Sequence, residues 1–218
     1  SGLDVGSGDF NNDGIDDVII GAFQAEPTGG SNQGESYIIY GPTNVSGRFN
    51  LSNANVTFFG IDVTDNSGFG VGSGDFNNDG IDDVIIGARQ AEPPGGSAQG
   101  ESYIVYGPAN VSGRFNLSNA NVTFFGIDAG DSSGHGVGSG DFNNDGMDDA
   151  IIGAGEAEPT GGNGQGESYI IYGPANLSGR FNLSTANVTF FGIDSSDNSG
   201  YSVGSGDFNN DGIDDVIM

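Results

Sequence analysis

Apolar residues in this chain come in short clusters cut by turn formers. "VGSGDF" (Val5–Phe10) is followed by "DVIIGA" (Asp17–Ala22), "SYIIYG" (Ser36–Gly41) and "NVTFFGI" (Asn55–Ile61). These clusters are short and rich in β-branched and aromatic residues, which suits strands. Glycine, proline, serine and asparagine fill the gaps between them, the composition of turns. Helical periodicity is missing. The segment "RFNLSNANV", starting at Arg48, is the one place where a turn of helix is expected.

The pattern then repeats. Acidic clusters begin at Asp9, Asp75, Asp141 and Asp207, always 66 residues apart. "GESYIIYGP" at Gly34 returns, with one change, at Gly100 and unchanged at Gly166. "NVTFFGID" starts at Asn55, Asn121 and Asn187. A fixed period of this size marks a repeat architecture. The units are 1–66, 67–132 and 133–198, with a partial fourth at 199–218. Four short antiparallel strands per unit match one β-propeller blade. The expected fold is therefore all-β: three full blades and a half blade, an open arc unless another chain or a longer polypeptide completes it. Strand edges lie open at Leu3 and at Met218, and unpaired edges are templates for pairing. Self-association, or continuation of a longer repeat array through the blade edges, is the expected partnership. The chain opens on Ser1 and shows no leader, so either a leader has been removed or this is a piece of something longer.

Each acidic cluster reads D-x-N-x-D-G-x-x-D. In the first, Asp9, Asn11 and Asp13 alternate, so their side chains converge when the loop curls. Gly14 allows the bend. Ile15 offers its main-chain carbonyl, and Asp17 closes the shell. The same five positions are Asp75, Asn77, Asp79, Ile81 and Asp83; Asp141, Asn143, Asp145, Met147 and Asp149; and Asp207, Asn209, Asp211, Ile213 and Asp215. Hard oxygen ligands in this number suit Ca²⁺, about one ion per loop. A helix–loop–helix calcium hand is excluded, because its twelfth position should be glutamate and here is Ile20, and because strands flank the loop. A solvated acidic turn without metal is the competing reading for any one copy, and four copies with unchanged ligands weigh against it. Asp16, at position 8, is surplus to the shell and is expected to point outward.

Charge narrows the partners. Thirty acidic residues face four arginines (Arg48, Arg89, Arg114, Arg180), a formal net charge of −26. Nucleic acid and anionic lipid would be repelled. No apolar stretch approaches the ~18 residues of a spanning helix, so membrane insertion is not expected. There is no cysteine, hence no disulfide or thiol chemistry.

"SGFGVGSGDFNNDGIDDVIIGA" (Ser67–Ala88) resembles the FG-GAP repeat of the integrin α-subunit propeller. The shared features are an aromatic-glycine pair (Phe69-Gly70), the acidic loop and a Gly-Ala pair. The likeness extends through every unit. It implies a propeller, usually of seven blades, with calcium in hairpin loops between the first two strands of some blades. The chain departs from the pattern at Leu3-Asp4, at His135-Gly136 and at Tyr201-Ser202, where the aromatic-glycine pair is altered. No proline follows the Gly-Ala, and the fourth unit stops at Met218 before reaching that pair. These changes touch packing and leave the metal ligands intact.

Other residues invite sharper readings. His135, the single histidine, stands where the other units carry Phe69 and Tyr201, so it reads as a packing substitute. Glu26 and Glu35, with copies at Glu92, Glu101, Glu158 and Glu167, suggest a glycosidase pair, but threefold repetition argues for a structural device. The segment Gln24–Gly34 varies between copies: Phe23 becomes Arg89 and Gly155, and Asn32 becomes Ala98 and Gly164. Ligand contacts and surface drift explain that equally well. Asn-x-Ser/Thr sequons occur at Asn44, Asn50, Asn55, Asn110, Asn116, Asn121, Asn176, Asn182 and Asn187. With the calcium loops they favour an extracellular or cell-surface location.

Three function classes follow. The leading one is an extracellular calcium-binding repeat protein with a structural or adhesion role and no catalytic residues. The second is a lectin-like or protein-recognition module that takes a protein or glycan ligand through the variable loops. The third is a non-catalytic scaffold within a larger extracellular enzyme, such as a polysaccharide lyase or a phospholipase.

Overall fold

The computed structural model describes residues 2–27, 29, 31–41, 47–93, 97–107, 112–161, 163–173 and 177–218. The fold is all-β, built of propeller-type blades that do not close into a barrel. Blade one has β1 (Val5–Gly8), β2 (Asp17–Ala22), β3 (Glu35–Ile39) and β4 (Val56–Phe59). Blade two has β5 (Ser67–Gly74), β6 (Asp83–Ala88) and β7 (Glu101–Val105), then β8 (Gly113–Asn116) and β9 (Val122–Phe125). Blade three has β10 (Ser133–Gly140), β11 (Asp149–Ala154), β12 (Glu167–Ile171), β13 (Gly179–Asn182) and β14 (Val188–Phe191). The partial fourth blade is the hairpin β15 (Gly204–Gly206) and β16 (Asp215–Ile217). Within each full blade the first, second, third and last strands pair antiparallel in that order.

Period-two alternation explains why the short apolar runs are buried on both faces. In β6, Val84 and Ile86 face blade one, joining Ile19, Ile38, Phe58 and Val71 in one core. Ile85 points the other way and packs with Val137, Ile152 and Tyr169 in a second core between blades two and three. One strand thus serves two interfaces, and each such isoleucine is worth roughly 1.5–3 kcal/mol of apolar burial.

The segment expected to hold a turn of helix does so, as a 3₁₀ turn at Leu51–Asn53, Leu117–Asn119 and Leu183–Thr185. Asn50, Asn116 and Asn182 cap it, each side chain accepting from the amide two residues on. Asn55, Asn121 and Asn187 accept from the amides of Tyr40, Tyr106 and Tyr172. Six of the nine sequon asparagines therefore also hold turns. Asn44, Asn110 and Asn176 lie outside the described residues.

The sequence did not foretell what precedes that turn. Gly113–Asn116 leaves its own blade and adds to blade one, parallel to β4, with Arg114 opposite Thr57 and Phe115 opposite Phe58. Gly179–Asn182 adds in the same way to β9 of blade two. The identical tetrapeptide Gly47–Asn50 forms no strand and is exposed.

Side chains lock the added strands. Arg114 reaches the buried Glu35 at 3.2 Å and lies 5.0 Å over the Phe59 ring. Arg180 repeats this with Glu101 and Phe125. The same glutamates accept from the hydroxyls of Tyr37 and Tyr103, so Glu35 and Glu101 serve as packing devices.

The aromatic row of the inner strands also ties blades together. His135 is 2% exposed, packed between Phe69, edge-on at 4.7 Å, and a tilted Tyr201 at 3.9 Å. Burial, with Arg89 beside it, lowers its pKa to about 4, so the ring is neutral at pH 7. The variable position 23/89/155 packs here too. Phe23 lies edge-on to Phe69 at 5.1 Å, Arg89 sits 4.3 Å above the same ring, and a Cβ on Gly155 would meet Tyr201 at 3.2 Å. Position 32/98/164 is held in left-handed backbone, φ 52°, 51° and 60°. Packing therefore constrains the first position and backbone shape the second.

Two expectations follow. Arg180→Ala strands the buried Glu101 and should lower stability in urea by about 1–2 kcal/mol; Arg180→Lys should recover only part, since it restores the charge but not the planar stack. Asp65 and Asp131 are buried at the turns entering blades two and three, where desolvation, above all, raises both pKa values to about 6. A folded pKa above the unfolded 3.8 contributes stability that is complete below the unfolded value and lost as pH climbs through 6. Asp65→Asn should therefore flatten the fall in melting temperature between pH 4 and 7 (a window of roughly that width). At neutral pH it should add about 2–4 °C, the equivalent of roughly 1 kcal/mol.

Candidate metal centre

The acidic loops are the hairpin turns between the first two strands of each blade. Their shape comes from two left-handed residues, an asparagine at position 4 and the glycine at position 6: Asn12 and Gly14 at φ 58° and 83°, with the other three loops within a few degrees. Asparagine and glycine are the residues that adopt this region at low cost.

The position-1 aspartates, Asp9, Asp75, Asp141 and Asp207, hold the turn. Asp9 accepts from the amides of Asp13 at 3.0 Å and Gly14 at 2.8 Å, and the other three do likewise. The position-5 aspartates, Asp13, Asp79, Asp145 and Asp211, each accept from the amide two residues on. Those amides belong to Ile15, Ile81, Met147 and Ile213, whose carbonyls are the expected seventh-position ligands. Each carboxylate oxygen has a second lone pair beyond the one an amide takes.

Position 9 lies at the base of the loop. Asp17, Asp83 and Asp149 are fully buried, while Asp215 in the half blade is partly exposed. Asp17 accepts from Phe10 at 3.1 Å and from Gly41 at 2.7 Å, so it ties the loop to the end of the third strand. Desolvation is the main cause that raises all three buried carboxyls, Asp83 to about 7 and Asp149 to about 6, with the neighbouring loop aspartates adding to it.

Oxygen atoms at the site are left over. Asn11 Oδ1 and Asn143 Oδ1 are buried with no hydrogen-bond donor, while Asp83 accepts from the amides of Gly107 and Phe76. A buried acceptor without a partner costs roughly 1–3 kcal/mol, and a cation is one group that satisfies it. Asn77 Oδ1 instead accepts from Asp79 at 2.8 Å, and Asn209 donates to Asp215. Among the described residues, no three acidic or imidazole groups are gathered to hold an ion on those side chains alone. A cation here would also draw on the position-3 amide oxygen and the position-7 carbonyl.

Position 8 behaves differently in the first unit and in the others. Asp16 is exposed, as expected. Its copies turn to the preceding blade: Asp82 accepts from the Asp9 amide at 2.7 Å, Asp148 from Asp75 at 2.8 Å and Asp214 from Asp141 at 3.1 Å. A Cβ on Gly8 would stand 2.7 Å from Asp82 Oδ2, so glycine opens the approach. The first residue of the loops at Asp9, Asp75 and Asp141 is thus positioned by the next repeat. Asp16 differs only because no blade precedes its own among the described residues.

The FG-GAP repeat family matches residues 1–39, 67–105 and 133–171, more than half of the chain. The chain belongs to that family. It is also similar to phosphatidylinositol-glycan-specific phospholipase D from three mammals. Identity is 30% over 158 residues for Rattus norvegicus, 32% over 151 for Mus musculus and 30% over 186 for Bos taurus. These alignments cover 69%, 67% and 83% of this chain but only 18%, 17% and 22% of the relatives. The chain spans about a fifth of the length of these relatives.

The one-sided capping gives a paired expectation. Asp82→Ala leaves the Asp9 amide without its acceptor and should cost about 1–2 kcal/mol in urea denaturation. Asp16→Ala, at the same repeat position, should stay within ~0.5 kcal/mol.

Proposed function

We propose, from membership in the FG-GAP repeat family and from the four oxygen-lined hairpins, that this chain is an extracellular calcium-binding repeat module with a structural or adhesion role. The observation that carries the reading is the pair of buried loop oxygens without donors, at Asn11 and Asn143, within a donor set made only of oxygen. Bound Ca²⁺ would supply the positive charge that these loops lack. The five named positions of each loop would hold it, fixing the hairpin between the first two strands of every blade. Oxygen-only sites of modest charge suit the 10⁻⁴–10⁻³ M affinities of extracellular modules. The acidity and the sequons agree with that location, and among the described residues no helix is long and apolar enough to cross a membrane.

A second reading has its own support. The similar phospholipases D are about five times as long as the matched region. A repeat module of this kind is therefore also suited to being the non-catalytic part of a larger extracellular enzyme, with no catalytic residue of its own.

Titration calorimetry tests the metal. About four Ca²⁺ per chain should bind, and Asp79→Ala should remove one. At a hundredfold excess over Kd each ion adds ~2.7 kcal/mol of stability, so chelator should lower the melting temperature by several degrees per site. No heat at millimolar calcium, together with the same melting curve in excess chelator, would overturn the proposal.

A further inference from the structure

The position-8 aspartates take part in two acidic loops at once. Along the chain each lies inside its own loop: Asp82 follows Ile81, whose carbonyl is the seventh position, and precedes Asp83, the ninth. In space its carboxylate serves the loop before. Asp82 Oδ2 accepts from the Asp9 amide at 2.7 Å, Asp148 Oδ2 from Asp75 at 2.8 Å and Asp214 Oδ2 from Asp141 at 3.1 Å.

The contact is built into all three seams. A Cβ on Gly8, Gly74 or Gly140 would lie 2.7, 2.9 or 2.9 Å from the incoming carboxylate oxygen, so glycine is what lets it approach. Two residues before each capped amide a serine hydroxyl crosses the same seam, from Ser73 to the Ser7 carbonyl, Ser139 to Ser73 and Ser205 to Ser139. The Asp214 amide also donates to the Asp141 carbonyl at 3.3 Å. Both ends of the contact are tied into their own loops. Asp83, next to Asp82, accepts from the amides of Gly107 and Phe76. Asp9 accepts from the amides of Asp13 and Gly14.

Resting on the calcium reading above, we propose that Asp82, Asp148 and Asp214 couple neighbouring loops, so that calcium held in one loop strengthens its binding in the loop of the preceding blade. The path is short. Ile81 and Asp83 flank Asp82, so drawing the Ile81 carbonyl and the Asp83 carboxylate into one shell fixes the backbone on both sides of it. Asp82 then loses less freedom in holding the Asp9 amide. Asp9 carries the first-position carboxylate of its own loop, and its backbone sets where that carboxylate points. Order imposed on the second loop is therefore order the first no longer has to gain, which is positive coupling without a change of fold. The effect is reciprocal, and the two loops of a seam change each other's affinity by one factor. The three aspartates act as positioning residues, since none is among the five ligand positions of either loop it joins.

Calcium titration of the full chain, followed by NMR, tests this. The amides of Gly14, Gly80, Gly146 and Gly212 each donate to the first aspartate of their own loop, so they report the four loops separately. Asp145→Ala removes an exposed ligand of the third loop and leaves the seam contact in place. It should raise the calcium needed to half-fill the second loop, read at Gly80, by about fivefold or more. In an Asp148→Ala background the same change should no longer move Gly80, because the link is already cut. Asp148→Asn keeps an oxygen that accepts from the Asp75 amide and should retain most of the coupling. Asp79→Ala with Asp82→Ala, read at Gly14, repeats the measurement at the first seam. Four loops that fill while Gly80 is indifferent to Asp145→Ala overturn this proposal alone. A Gly80 response that survives Asp148→Ala in full overturns the role of the carboxylate. No calcium-dependent shift at any of the four glycines overturns the coupling together with the calcium reading.

Discussion

A sheet with two apolar faces cannot stand alone in water. Each blade here is such a sheet, and everything else follows from the need to cover both faces. Ile85 faces forward while Val84 and Ile86 face back, so a single strand ties three blades together. Each repeat is therefore a packing unit only in company, as expected of a quasi-one-dimensional array.

Apolar burial has no preferred direction along the stack; three repeated sets of polar contacts do. The inner-strand serine hydroxyls, the position-8 carboxylates and the arginine strands reach backward, while Asp4, Tyr106 and Arg89 reach forward to Val71, Leu177 and Glu156, so a blade is completed largely by its successor. The arginine device joins backbone pairing, an ion pair to a buried carboxylate and a ring face at one point. Charge reinforces the arrangement. At −26 the chain repels itself, and three of its four cations, Arg89, Arg114 and Arg180, are placed on blade seams. The acidic loops lie at the same inner ends of the blades, so loop geometry and stacking are linked through Asp82, Asp148 and Asp214.

Much of this was legible in the sequence. The 66-residue period, the strand positions and the hairpin loops could be read because period-two burial and turn chemistry are local signals. Gly113–Asn116 could not. Four residues with one arginine and one phenylalanine carry no strand pattern, and their pairing partner lies in another repeat. The role of Asp82 was not visible, because its partner, the Asp9 amide, is 73 residues away in the chain. Position 23/89/155 looked variable because its neighbours at 69, 135 and 201 vary as well, a coupling visible only once the blades are stacked. The loop residues share one backbone shape in every unit, with Asp17, Asp83 and Asp149 more deeply buried than the spacing alone could tell.

Amide hydrogen exchange at the first residue of each acidic loop tests the directional stack most directly. In dilute solution the amides of Asp9, Asp75 and Asp141, each held by the following repeat, should be protected, and that of Asp207, with no such partner among the described residues, should exchange quickly. Equal exchange at all four would contradict the account, since the loops would then owe nothing to the blade that follows.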